Sequence, residues 1–74
     1  MAKLPAGLSG QDLKQALQRA GFVLTRQRGS HMMLRRDEPR ARVVVPDHKS
    51  LRPGTLHQIL KAAGLSVEEL LRLL

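Results

Sequence analysis

The sequence predicts an α+β fold: an amphipathic helix, a three-stranded antiparallel meander, a second helix, and a short C-terminal helix. Three observations carry that expectation. Apolar residues recur at helical spacing in two separate stretches, from Leu13 to Ala20 and from Leu56 to Ala63. Between them lie three short runs rich in β-branched and apolar residues, punctuated by Gly29 and Pro39. The connections between these runs are too short for parallel crossovers, so neighbouring strands are expected to run antiparallel.

Residues 1–7 carry little pattern and are expected to form a loose lead-in. Ser9 can cap the free N–H groups of the first helix, Asp12 suits its positive first turn, and Leu8 can staple against Leu13. Leu13, Ala16, Leu17 and Ala20 make one apolar stripe, and Gly21 ends it where a left-handed residue is expected. The strands are read as Phe22–Gln27, Ser30–Arg36 and Ala41–Pro46, with a tight connection around Arg28-Gly29 and a turn at Asp37-Glu38-Pro39-Arg40. A polar loop, Asp47 to Pro53, leads to a helix opened by Gly54-Thr55, carrying Leu56, Ile59, Leu60 and Ala63 on one face and stopped by Gly64. Ser66-Val67-Glu68-Glu69 reads as a capping box that starts the last helix. The two apolar stripes can cover one face of the sheet and leave the other open.

The chain has 74 residues, enough for one domain (1–74) with a modest core. It has no cysteine, which is compatible with a reducing compartment. No apolar run approaches the roughly 18 residues that span a bilayer, and the first residues lack the apolar stretch of a secretion signal. A cytoplasmic setting without membrane association is therefore expected.

Charge is the first functional clue. Thirteen Lys and Arg face six Asp and Glu, a net charge of +7. The segment from Arg19 to Arg52 holds nine of the bases and three of the acids, so it carries most of the excess. Solubilising surfaces usually mix signs, whereas a concentrated positive field attracts phosphate backbones. The two main helices are separated by the strands, which argues against a helix-turn-helix, so any contact with DNA is expected only through a partner protein. The basic residues sit on strands and turns, not on an amphipathic helix, which argues against a membrane surface.

Within that basic segment, Arg26-Gln27-Arg28-Gly29-Ser30-His31 sets one histidine after a glycine turn. His31, His48 and His57 have no metal-site spacing, and no metal or other cofactor is expected. A histidine among arginines suits RNA cleavage, because the ribose 2′-OH is itself the nucleophile and the protein need supply only proton transfer and charge stabilisation. Arg26, Arg28, Arg35 and Arg42 are the candidate phosphate contacts. Ser30 offers a hydroxyl, and Gly29 a backbone that a ribose can approach closely. The plainer readings make His31 a packing residue, Gly29 a hairpin glycine, Met32 and Met33 core filler, and His57 a surface residue. Alternation leaves open which face of its strand His31 takes, since His31, Met33, Arg35 and Met32, Leu34 both contain apolar residues. A non-catalytic RNA-binding module is the alternative to a nuclease. With Phe22 as the one aromatic residue, such a module would read shape and phosphate, not stack bases on rings.

From Ser9 to Gly64 the chain resembles the HicA toxin family. The resemblance rests on the helix followed by Gly21-Phe22, the Gly29-Ser30-His31 triplet opening a strand, and Val44-Val45-Pro46-Asp47-His48. It continues through Pro53-Gly54-Thr55-Leu56 into Ile59-Leu60-Lys61-Ala62-Ala63-Gly64. It implies a fold like the double-stranded RNA-binding domain and a ribosome-independent RNase that cleaves mRNA, with the histidine at the His31 position catalytic. It also implies a HicB-type antitoxin that covers the active face. His48 matches a second recurrent histidine of that family, with a possible site role. Met32-Met33-Leu34 stands where relatives often carry an aromatic, and Ser66–Leu74 lies outside the shared pattern.

Overall fold

The computed structural model describes residues 3–74. Its element order is α1 (Gly10–Arg19), β1 (Val23–Arg28), β2 (His31–Asp37), β3 (Arg40–Pro46), α2 (Pro53–Ala63) and α3 (Val67–Leu73). The expected α-β-β-β-α order with an added terminal helix is present. Met1 and Ala2 of the expected lead-in lie outside the described residues; of the remainder, Leu4 packs partly buried against the core.

Short-range chemistry sets the helix ends. The Ser9 hydroxyl accepts from the Asp12 N–H at 3.0 Å, and the Asp12 carboxylate accepts from the Ser9 N–H at 3.2 Å, completing a capping box. Ser66 and Glu69 repeat the device on α3, at 3.1 and 3.0 Å. Hydrogen bonding to the Ser66 backbone N–H and hydroxyl holds the Glu69 carboxyl below the usual carboxylate range. α2 begins at Pro53, one residue earlier than expected, because a first-turn N–H has no helical partner and proline loses nothing there. Both long helices stop in the same way. Gly21 (φ +96°) follows α1 and Gly64 (φ +72°) follows α2. The next residues, Phe22 and Leu65, donate back to Leu17 and Leu60, each at 3.0 Å, closing two Schellman motifs.

The sheet has the order β1-β2-β3, antiparallel throughout. Its alternation is set by β2: Met32 and Leu34 are buried against the helices, whereas His31 and Arg35 are exposed on the open face. Val43 and Val45 of β3 join the buried side. These residues form one core cluster with Leu13, Ala16 and Leu17 of α1, Leu56, Ile59, Leu60 and Ala63 of α2, and Leu70 of α3. The terminal helix is therefore part of the fold. Its Leu73 carbonyl also accepts from Arg19 at 2.7 Å.

Arg36 is the exception on the helix-facing side of β2. Its guanidinium lies 4.6 Å from the centroid of the Phe22 ring and donates to the carbonyls of Pro39 at 2.8 Å and Ala63 at 3.1 Å. The same side chain runs past Gly21 and Gly64, at the C-terminal ends of α1 and α2. Its charge thus meets the negative ends of two helix dipoles and fills an unpaired carbonyl of α2.

A second constraint sits at the other end of α1. Gly10 is buried and donates to the His48 carbonyl at 2.9 Å, and a Cβ there would collide with the Pro46 carbonyl. Gly10→Ala should cost about 1–3 kcal/mol in urea unfolding. Gly54→Ala, in open space on α2, should be neutral or stabilising by up to about 1 kcal/mol. Arg36→Met should cost about 1–3 kcal/mol by leaving the Ala63 carbonyl unpaired and the Phe22 stack unmade. The exposed Arg35→Met should shift the same unfolding midpoint by no more than about 0.5 kcal/mol.

Candidate nucleic-acid interface

The interface is built by register. Residues paired across antiparallel strands share a face, so His31 stands in a row with Arg28 on one side and Pro46 on the other. The next row on the same face is Arg26, Met33 and Val44, and the third is Val23, Arg35 and Arg42. His31 and all four candidate phosphate-binding arginines therefore lie on the open face, each exposed. Of the acids on the strands, Asp37 reaches this surface, where it pairs with Arg35 at 3.1 Å. Both partners are well exposed, so the pair contributes little to stability.

A bulge makes the arrangement possible. Between Leu24 and Arg26 the β1 register shifts by one residue, leaving Thr25 without a partner on β2. The Thr25 hydroxyl donates to the Met33 carbonyl at 3.2 Å across the irregularity. With regular pairing, Thr25 would oppose Met33, and Arg26 would turn toward the helices. The extra residue instead returns both Arg26 and Arg28 to the face of His31.

The hairpin joining β1 to β2 is Gly29-Ser30, one residue later than expected, so His31 is the first residue of β2. Gly29 has φ +55° and Ser30 does not have positive φ, the sign pattern of a type II′ turn. Nothing lies within 4 Å of a Cβ placed on Gly29. The Ser30 carbonyl accepts from the Asp47 N–H at 2.6 Å, which ties the hairpin to the segment leaving β3.

His48 lies on that segment, two residues beyond the cross-strand partner of His31. It is exposed and lines a shallow cleft with Pro46, Ser50, Leu51, Arg52 and Thr55 at the start of α2. The segment is fastened to α1 through the Gly10 contact and through Gln11, whose amide donates to the Asp47 carboxylate at 3.1 Å. A further backbone bond runs from the Leu51 N–H to the Leu8 carbonyl at 2.7 Å. Neither the Gln11–Asp47 pair nor the Thr25 bulge has a local sequence signal, because each depends on segments distant in the chain. His57 is exposed on α2. Met32 is fully buried as core filler, but Met33 is only half-buried on the open face and is no part of the core cluster.

Among the described residues no cluster of three His, Asp or Glu side chains is placed to hold a metal ion. No helix of the described residues is long and apolar enough to cross a membrane. The arrangement offers an exposed imidazole beside guanidinium groups on a flat surface, which suits phosphate binding combined with proton transfer.

A family model described as HicA toxin of bacterial toxin-antitoxin matches residues 10–65. No match to a curated protein is found. The matched span runs from the start of α1 to the residue after Gly64 and includes the whole interface; α3 lies beyond it.

Because the surroundings of Gly29 are open, a side chain there meets backbone strain and no steric clash. Gly29→Ala should lower stability by about 1–2 kcal/mol through its positive φ, read as a shift of the urea midpoint.

Proposed function

The chain belongs to the HicA toxin family of bacterial toxin–antitoxin systems, and from that premise we propose that it is an endoribonuclease, an mRNA interferase. In this reading it cleaves RNA on the open face of its sheet, with His31 as general acid or base. The observation that carries the proposal is the shared face of His31, Arg26, Arg28, Arg35 and Arg42. The family implies a HicB-type antitoxin as the protein partner, and contact with DNA would come through that partner. Its site of action is the cytoplasm, where its mRNA substrate is translated.

The chemistry needs few groups. The ribose 2′-oxygen attacks the adjacent phosphorus and gives up its proton, and the bond from phosphorus to the 5′-oxygen breaks as that oxygen gains a proton. The products are a 2′,3′-cyclic phosphate and a free 5′-hydroxyl. His31 serves one of these proton transfers. His48, held at the same end of the sheet, is the candidate for the other, with water as its competitor. Arg28, beside His31 in the same row, and Arg26, one row away, carry the charge that builds on the phosphoryl oxygens. Gly29 and Ser30 support the site by setting the turn that begins β2 at His31, and Arg35 and Arg42 hold the strand further along. No cofactor enters this scheme.

Purified protein incubated with RNA and EDTA should cleave it and leave cyclic phosphate ends. His31→Ala should lower the cleavage rate by about 10²–10⁴-fold while unfolding at the native urea concentration, since the side chain is exposed. Cleavage at the native rate by this variant would remove His31 from the mechanism. RNA that the native protein binds but leaves intact would instead identify a non-catalytic RNA-binding module.

A further inference from the structure

The middle of the open face is apolar, although its surroundings are cationic. Met33 on β2 and Val44 on β3 are direct cross-strand partners, with Val44 49% exposed and Met33 half-buried. They belong to a shallow depression lined also by Thr25, Arg35 and Arg42. Neither side chain packs into the core, so neither is explained by folding. We propose that Met33 and Val44 form a platform for one unpaired nucleobase, whose own phosphate is held by Arg35 or Arg42. The proposal rests on the reading of the chain as an RNA-cleaving protein and names the form of RNA it takes.

Three features favour this occupant. Met33 lies two residues from His31 on the same strand and face, about 7 Å away, so the platform holds a nucleotide neighbouring the one at His31. The apolar strip is two side chains wide and is bordered by Arg26 on its own row and by Val23, Arg35 and Arg42 on the next, where the exposed Val23 stands beside Arg35 and not in line with Met33 and Val44. A strip that narrow fits a planar ring better than a protein surface, which needs a wider apolar patch to bind stably. Finally, an RNA duplex presents phosphate and ribose outward and keeps its bases stacked, so it cannot cover the strip. A single strand with a base turned toward the sheet covers it and keeps its phosphate on the arginines.

The test measures binding by fluorescence anisotropy, using a 2′-O-methyl single strand, whose blocked 2′-oxygen prevents cleavage, and a duplex of the same sequence. Val44→Thr and Met33→Gln should each weaken single-strand binding about five- to tenfold. Duplex binding and the salt dependence should stay unchanged, because no phosphate contact is removed. One abasic position beside the cleavage site should weaken the native protein by the same factor and leave Val44→Thr unaffected. Native-like single-strand affinity in the variants, or an equal loss with duplex, overturns the platform. So does unchanged RNA binding with lost binding to a co-expressed antitoxin, which reassigns the strip to a protein partner. If Met33→Gln fails to fold, Val44→Thr decides alone, since its side chain is exposed. Absence of any RNA binding or cleavage by the native protein overturns the nuclease reading itself; native binding and cleavage with unaltered variants overturns the platform alone.

Discussion

One guanidinium joins the parts of this small fold. Arg36 reaches from β2 to the C-terminal ends of α1 and α2, stacks on Phe22 and donates to the Ala63 carbonyl. Two helix dipoles point their negative ends toward this region, and the positive charge between them offsets a repulsion that apolar packing alone would leave. The contact also sets an orientation. Because Arg36 faces the helices, Met32 and Leu34 share its side, and His31, Met33 and Arg35 must face away. The structural arginine and the candidate histidine are thus coupled by strand alternation, with no contact between them.

The outcome is a division between two surfaces. The helix-facing side of the sheet holds the core, in which no polar or charged residue among the described residues is buried, Arg36 being only partly so. The open side holds the imidazole and four arginines, and none of them is needed to fill space. Such a separation suits a chain of this length, where the margin of stability is narrow. Positive charges can accumulate on one face without desolvating any of them.

Much of the fold was legible in the sequence because its signals are local. Ser9, Ser66 and Glu69 announce helix starts, Gly21 and Gly64 announce helix stops, and Pro39 marks a turn, each through the backbone of its immediate neighbours. The facing of the strands was less legible. Met32 and Met33 are adjacent and chemically identical, so composition could not say which is buried. The structure buries Met32 and leaves Met33 on the open face, which settles the orientation of His31 that alternation had left open. The interface arginines were identifiable by type, but their shared face rests on the irregular pairing around Thr25. Simple alternation along β1 groups Arg26 with Arg28, yet only pairing with β2, a tertiary property, decides whether both join His31.

That irregularity also shapes how such a chain can change. Losing the single codon for Thr25 would restore an unbroken ladder between the first two strands. Leu24 would still face the helices and Arg26, now its direct neighbour, would still oppose Met33, so neither Arg26 nor Arg28 would change sides. The deletion would remove only the bend and added twist that the unpaired residue gives β1, with the Thr25–Met33 hydrogen bond. Losing Gln27 instead would set Arg28 opposite the buried Met32 and turn it toward the hydrophobic layer, so of two single-codon losses in one strand only the second changes which side the arginine takes.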